Sequence, residues 1–358
     1  MIALNKFSVV ALVFVVSMAS AQQRMLTVEE SIALGMENSK ALHSSLMKSN
    51  YSDARSNEIA AGFYPSVKLQ AGYQKLSDIP PFTIPIPNAP VSFPVILNNY
   101  TVKASFQQPL FTGWKLQSAA ENAQYISNAA HSDYTKDKAE LIYSIKSAYW
   151  NVYRAKEFKQ LSDENVNQIG QHLADVENLF KQGMATTNAV LKVKVQLSNA
   201  KLLRSDASNN VEIAIIAFNS TVGIPLDTDV GIASSLTPKT KDFPEVQQLL
   251  VKAMTERPDM HAMEWRLRAS QAGVTAAQSG WLPQVFLSGN YYYSRPSQRI
   301  FPAQDQFKDT WDVGVNVQFD IWNNLTTVYQ TAQAQSQYEQ TKDAYAMLKD
   351  GVILEVTQ

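Results

Sequence analysis

Residues 60–74 read AAGFYPSVKLQAGYQ, and residues 278–291 read QSGWLPQVFLSGNY. Each begins as the end of an Ala-rich helical pattern, passes a proline (Pro65, Pro283) and changes period. After Pro65, the residues Val67, Leu69, Ala71 and Tyr73 alternate with Ser66, Lys68, Gln70, Gly72 and Gln74. A period of two places one set on each face of a strand. The chain therefore makes the same helix-to-strand switch twice, and the whole sequence organises around that repeat.

Upstream of each switch lies a broken helix. Thr27 and Glu30 have capping-box spacing and open the first, which is interrupted near Asn38-Ser39 and resumes to Gly62. In the second unit, Val246, Leu249, Leu250 and Ala253 form one short face. Arg257-Pro258-Asp259-Met260 interrupts it, and a helix with Ala269, Ala272, Ala276 and Ala277 runs to Gly280. Downstream, each unit has two strands. They fall at about 66–74 and 100–107 in the first unit, and about 284–293 and 311–319 in the second. In the last, Trp311, Val313, Val315, Val317 and Phe319 alternate with Asp312, Gly314, Asn316 and Gln318.

A half-buried soluble sheet would alternate in the same way. Two features point to a membrane barrel instead. The strands approach the ~9–11 residues needed to cross a bilayer. Tyr73, Tyr100, Tyr291, Tyr293, Trp311 and Trp322 also cluster near strand ends, as an aromatic girdle would. On this reading Val67, Leu69, Tyr73, Val102, Phe106, Val285, Leu287, Val313, Val315 and Val317 face lipid. Lys68, Gln70, Lys103, Ser105, Asp312 and Asn316 face a lumen. The first strand pair is joined by a segment containing Pro80, Pro81, Pro85, Pro87, Pro90 and Pro94. Proline lacks an amide donor, so this excursion is expected to be stiff, partly extended and unable to enter a sheet interior.

Leu110 to Ile224 contains no proline. Ile142, Ile145, Tyr149 and Val152, then Val166, Ile169, Leu173, Val176 and Phe180, step by threes and fours, the spacing of a coiled-coil seam. A helix from Thr112 to Phe180 would be about 100 Å long at ~1.5 Å per residue. It needs a partner of similar length, and the chain supplies one. Gly183-Met184-Ala185-Thr186-Thr187-Asn188 breaks the pattern, and Val190, Val193, Leu197 and Ala200 resume it. Gly183 suits a left-handed helix end, and Thr186, Thr187 or Asn188 can cap the return. Gly223-Ile224-Pro225 ends the hairpin at about 112–222, and a linker at about 229–242 leads into the second unit.

The remaining composition narrows the function. The 31 basic and 32 acidic side chains give a formal charge of −1, without the clustered basic surface that nucleic acid requires. Zero cysteines exclude disulfides and thiolate chemistry. His43, His131, His172 and His261 lack metal-ligand spacing, and no phosphate loop or nucleophile elbow is present. Neither catalysis nor a cofactor is expected. Lys6, the apolar run Phe7–Val16 and Ala19-Ser20-Ala21 form an export signal over 1–21.

Taken over the whole mature chain, these features resemble the outer membrane efflux proteins, the TolC-like channel-tunnels of Gram-negative bacteria. The resemblance rests on the switches at Pro65 and Pro283 and on Phe106-Gln107-Gln108-Pro109-Leu110-Phe111-Thr112-Gly113, similar to the family's strand-to-helix junction. It rests also on the Gly183–Leu191 tip, Thr221-Val222-Gly223-Ile224-Pro225, and Glu256-Arg257-Pro258-Asp259-Met260. Ala189 stands where the family often has an acid. Phe319-Asp320-Ile321-Trp322-Asn323-Asn324 lacks the Pro and Gly of the first junction, although Asn can supply a left-handed residue.

The resemblance implies a mainly α fold with a β-barrel portion. It is built from two tandem helix–strand–strand–long-helix repeats, at 22–228 and 243–358. The second repeat includes helices at 245–280 and the start of a long helix at 325–358. Four strands cannot close a barrel, since bacterial barrels have at least about 8. A homotrimer with twelve strands, continued by a periplasmic coiled-coil tube, is the implied assembly. The implied partners are outer-membrane lipid, a periplasmic adaptor docking at Gly183–Asn188, and an inner-membrane pump of an efflux or type I secretion system. Pro65, Pro109 and Pro283 would mark helix–strand boundaries. Phe111 to the Gly183 turn is 72 residues, and the same count from Trp322 falls near 394, so a longer parent protein is expected. A periplasmic coiled-coil adaptor shares the hairpin and export signal, but would not repeat the whole helix–strand–strand–helix unit.

Overall fold

The computed structural model describes residues 24–233, apart from 79, 82, 88–90 and 94, and residues 244–358. The export signal at 1–21 and most of the 229–242 linker lie outside the described residues. The chain divides into two compact units, Met1–Leu42 with Lys138–Lys241, and His43–Asp137 with Asp242–Gln358. These units cut across the two sequence repeats.

In the first unit, β1 (Arg24–Leu26) leads into α1 (Val28–Asn38). Thr27 and Glu30 form the capping box. The Glu30 amide donates to Thr27 Oγ1 at 3.2 Å, and the Thr27 amide donates to Glu30 Oε2 at 2.9 Å. Helix α2 (Lys40–Ala60) begins immediately after the break at Ser39 and continues into the second unit. Most of the long helix α3 (Lys115–Lys181) and all of α4 (Thr187–Val222) belong to the first unit.

The seam residues Ile145, Tyr149 and Val152 are buried with Phe218, Val222, Leu26 and Val230 in one cluster. Farther along α3 the seam is progressively less covered, and Phe180 is exposed. Glu177 and Lys194 pair across the hairpin at 3.0 Å.

Helix α4 ends at Gly223, whose φ of 76° is left-handed. The buried Asn219 amide holds the following turn by donating to the carbonyls of Leu226 (3.1 Å) and Thr228 (2.8 Å). Strand β6 (Val230–Ile232) then pairs in parallel with β1, a short ladder that the sequence pattern did not disclose.

The second unit holds four strands in one antiparallel sheet. They are β2 (Ser66–Lys75), β5 (Asn98–Phe111), β7 (Gln284–Arg295) and β8 (Lys308–Gln318), in the order β2-β5-β7-β8. Between β2 and β5 lies a two-residue ladder of β3 (Thr83–Ile84) and β4 (Val91–Ser92). The proline-rich excursion therefore pairs with itself, and Pro80, Pro81, Pro85 and Pro87 sit outside its rungs. Pro90 and Pro94 lie outside the described residues.

Several expected bounds shift. The strand expected at 100–107 runs Asn98–Phe111, so Pro109 lies inside a strand and not at a helix–strand boundary. The β5–β7 register slips between Pro109 and Phe111, a bulge that accommodates a residue without an amide proton. The long helix starts at Lys115 and not at Thr112. Thr112 instead caps it, accepting the Leu116 amide on Oγ1 at 3.2 Å. The strand expected at 311–319 starts three residues earlier and ends at Gln318.

Helices α5 (Val246–Glu256), α6 (Pro258–Gln278) and α7 (Thr326–Thr357) complete this unit. Pro258 occupies the first turn of α6, where its missing amide proton is no loss. Small residues let the helices approach, and Ala262, Ala269 and Ala272 are buried. Asn122 of α3 donates to the Ala269 carbonyl at 2.6 Å, and Tyr125 stacks on Trp265 with centroids 5.8 Å apart.

The α2–α3 seam is unusually polar. Ser45 donates to Asp137 at 2.6 Å, and Ser49 lies 2.9 Å from His131 Nδ1. Asp53 accepts from Ser127 and lies 3.0 Å from His131 Nε2. The Ser127 hydroxyl and His131 hold the Asp53 carboxyl below the usual carboxylate range. His131 is thus engaged in helix packing.

Candidate functional site

The strand register sorts side chains into transverse rows, because directly paired residues share a face. One face carries Val67, Phe106, Gly289 and Val313 in a row, then Leu69, Ala104, Tyr291 and Trp311, then Ala71, Val102, Tyr293 and Asp309. Leu287 pairs with Val315 and Val285 with Val317 on this same face. Away from the loop end it is uncovered among the described residues: Leu69 is 74% exposed, Trp311 70% and Val317 66%. At the loop end Tyr73 and Tyr100 lie side by side, with ring centroids 4.9 Å apart. Charge appears on this face only near the loop end, at Lys75, Arg295 and Asp309.

The opposite face carries Lys68, Ser105, Asn290 and Asp312 in one row. Gln70, Lys103, Tyr292 and Thr310 form the next, and Gly72, Thr101, Ser294 and Lys308 the one beyond. Asn316 lies on this face opposite Phe286. All six residues read as polar-face and all ten read as apolar-face are thereby separated onto two opposite faces of one sheet. Away from the loop end, Gln108 is a polar residue on the apolar side. Its amide donates to the carbonyls of Phe63 (2.8 Å) and Pro109 (2.9 Å).

The edges are defined by β2 and β8, which have no second partner among the described residues. Pro65 and Pro283 sit directly before β2 and β7, each after a single 3₁₀ turn, at Ala61–Phe63 and Ser279–Trp281. These prolines end the helices and lead into the strands, because the ring fixes φ and leaves no donor for a further helical bond.

The hairpin turn is built as its residues demand. Gly183 has φ 78°, its amide reaches the Phe180 carbonyl, and the Met184 amide reaches the Leu179 carbonyl at 2.9 Å. That is a Schellman closure, which favours glycine. Thr186 caps α4, accepting the Ala189 amide at 3.2 Å. Thr187 opens the helix and Asn188 follows it, while Met184 is 73% exposed beside Ala185.

Sequence reading missed the loop between β7 and β8. It is gripped on the apolar side by a fork from Arg295 to Asp305 (2.7 and 3.0 Å) and by Phe307 stacked on Tyr293 at 5.0 Å. Arg299 crosses to the polar face and donates to Asp312. The only available signal was compositional, an arginine and an aromatic in a loop whose partners lie on strands. Among the described residues no helix is long and apolar enough to cross a membrane, which says nothing of a barrel.

Comparison with known proteins agrees with this architecture. The chain is similar to outer membrane protein TolC of Vibrio cholerae serotype O1, with 23% identity over 244 residues, 65% of this chain and 53% of that protein. It is also similar to toxin and drug export protein A of Aggregatibacter actinomycetemcomitans, with 20% identity over 216 residues, 59% and 46% of the two chains. The chain thus spans about half the length of these sequence relatives. Its fold matches the crystal structure of CusC with a TM-score of 0.78 at 16% identity, covering 92% of this chain and 73% of that one. Residues 34–223 and 249–358 match the outer membrane efflux protein family, and the chain belongs to that family.

Proposed function

We propose that the protein is the outer-membrane conduit of a tripartite efflux or type I secretion system, assembled as a homotrimer. The observation that carries this reading is the four-stranded sheet with one uncovered apolar face and two unpaired edges. In lipid an open edge leaves backbone donors and acceptors unsatisfied, at several kcal/mol each. Three sheets joined β2 to β8 close a twelve-stranded barrel. Val67, Leu69, Tyr73, Val102, Phe106, Val285, Leu287, Val313, Val315 and Val317 then meet lipid. Lys68, Gln70, Lys103, Ser105, Asp312 and Asn316 line the lumen.

Helices α3 and α4 continue the conduit as a periplasmic tube. Its turn, Gly183 to Asn188, docks a periplasmic adaptor, and the adaptor couples to an inner-membrane pump that supplies the energy. Exposed Met184 gives that contact an apolar centre. Solutes pass passively through the polar interior.

The absence of cysteine from these 358 residues makes the closure directly testable. Cysteines placed in pairs, one among 67–73 on β2 and one among 311–317 on β8, are oxidised in outer-membrane preparations of the full-length protein. A ladder of cross-linked species ending at three copies is expected. A ladder that ends at two, or no cross-link from any pair in membrane-inserted protein, overturns the trimeric barrel.

A further inference from the structure

The strands of the sheet contain two acidic residues, Asp309 and Asp312, and only Asp312 lies on the polar face. That face also carries Lys68, Lys103 and Lys308 in three successive rows. No carboxylate forms an ion pair with any of the three lysines among the described residues. The one carboxylate is already taken. Asn290 donates to its Oδ1 at 2.7 Å, and Arg299 from the β7–β8 loop donates to its Oδ2.

Arg299 is held there by more than this contact. Its second guanidinium nitrogen donates to the Trp311 carbonyl at 3.3 Å, and the group lies over the Tyr292 ring at 4.7 Å. Lys103 approaches the same ring at 5.3 Å. Tyr292 thus gathers two cations on the polar face. The loop that delivers Arg299 is pinned at the rim by the Arg295–Asp305 fork and the Phe307–Tyr293 stack. Ser297, two residues before Arg299, is buried. Beneath the loop lies a recess of about 310 Å³, bordered by Asn99, Thr101, Ser294 and Thr310 of the polar face. Asp312 pairs with Asn290, five residues inside the end of β7. At ~3.3 Å per residue the loop carries its arginine roughly 16 Å inward from the strand end.

We infer that Arg299 is a selectivity-determining residue, which neutralises the single acid of the polar face and gives the outer mouth of the conduit a preference for anionic solutes. This rests on the channel reading above. Each protomer then offers four cations against one anion on this face. A narrow, low-dielectric passage focuses the field of such fixed charges and raises the local concentration of counter-ions. Arg suits this place better than Lys, because its planar fork can hold a carboxylate while lying on an aromatic ring.

The test is ion selectivity of the full-length protein, extracted from outer membrane and reconstituted in planar bilayers under a potassium chloride gradient. The readout is the reversal potential, expressed as the chloride-to-potassium permeability ratio. Arg299→Gln is expected to lower the ratio by about twofold, and Asp312→Asn to raise it by about twofold, since each changes one lumen charge per protomer. The double variant returns to the parent value, and Arg299→Lys keeps it. A merely structural latch would make the two single variants shift the ratio in the same direction, because both free the loop. Equal shifts of one sign, or no shift, overturn the assignment of Arg299 while leaving the channel intact. Absence of conductance from the parent protein overturns the channel reading itself.

Discussion

Gly113 and Asn324 occupy the same backbone state at equivalent points of the two repeats. Their φ values are 63° and 53°, and each is followed by a second left-handed residue, Trp114 at 67° and Leu325 at 63°. The next residues, Lys115 and Thr326, open the two long helices. Two consecutive left-handed residues turn a strand sharply into a helix, and only the first unit uses glycine for it. Asparagine tolerates this region because its short polar side chain can bond locally.

Substitution at the first junction is therefore costly. A Cβ added at Gly113 would lie 2.9 Å from both Leu282 Cβ and the Ser279 carbonyl oxygen, in addition to adopting a positive φ. Gly113→Ala is expected to destabilise by about 1–2 kcal/mol from the left-handed strain alone, with more from the clash. Asn324→Gly should be close to neutral, and Asn324→Val costly. Thermal unfolding of the purified protein in detergent measures all three. Equal melting temperatures for Asn324→Val and Asn324→Gly would disprove the conformational argument.

A second prediction concerns pH. Arg257 forks onto Asp259 at 3.1 and 2.8 Å and also reaches Glu355 of α7 at 2.8 Å. Chiefly through its bond from Arg257, the Asp259 carboxyl is held below its ordinary value of 3.8, while the guanidinium stays charged throughout. A carboxylate with a lowered folded pKa stabilises fully above its unfolded value and loses that contribution as pH falls through the folded one. Arg257→Ala should lower stability by about 1–2 kcal/mol at neutral pH. The gap from the parent should narrow as pH falls below 3.8. Melting curves from pH 7 to 3 give the comparison, and a gap that widens toward acid contradicts it.

Tyr149 anchors the first unit. Its ring is fully buried against Phe218, and its hydroxyl donates to the Leu26 carbonyl at 3.0 Å. That carbonyl also accepts the Ala233 amide at 3.0 Å, so it keeps one donor when the hydroxyl is removed. Tyr149→Phe should cost only about 1 kcal/mol, whereas Tyr149→Ala opens a cavity and should cost about 3–5 kcal/mol. Chemical denaturation of the purified protein separates the two. A loss for the phenylalanine variant as large as for alanine would show that the hydroxyl, and not the ring volume, dominates.

How much of this was readable in advance depends on what kind of interaction placed each residue. Alternation over Val67–Tyr73 and Trp311–Val317 survives intact, because period two is enforced by the pleat regardless of partners. Gly183, Gly223 and a cap among Thr186, Thr187 and Asn188 were readable because caps are local chemistry, and the structure selects Thr186. Pro109 misled, since a missing amide donor looks like a stop unless the strand carries a bulge at that point. Thr112 was mistaken for a helix residue because the two left-handed residues after it carry a tryptophan, which seldom adopts that state. The Arg299–Asp312 contact had no periodic signature, for it joins a loop to a strand through side chains alone. The β1–β6 ladder was similarly hidden, since three residues are too few to show a period and their partners lie about 206 positions away.

The assignment of sheet faces makes the sharpest prediction, because neighbouring residues of β8 should respond oppositely. Val315 pairs with Leu287 on the apolar face, and Asn316 pairs with Phe286 on the polar one. Both are exposed in the single chain, so burial within the protomer does not distinguish them. In the proposed barrel they would differ, since Val315 would meet lipid tails and Asn316 would meet water. An arginine on the lipid face near the bilayer midplane costs about 2–4 kcal/mol, while lumen positions accept charge readily. Val315→Arg should therefore reduce the yield of heat-resistant oligomer in outer-membrane extracts, and Asn316→Arg should leave it near the parent level. The same comparison at Leu69 and Gln70 tests β2 independently, because a register error in one strand would not reproduce in the other. Equal tolerance at both members of each pair would place the two faces in the same solvent and remove the physical case for a barrel.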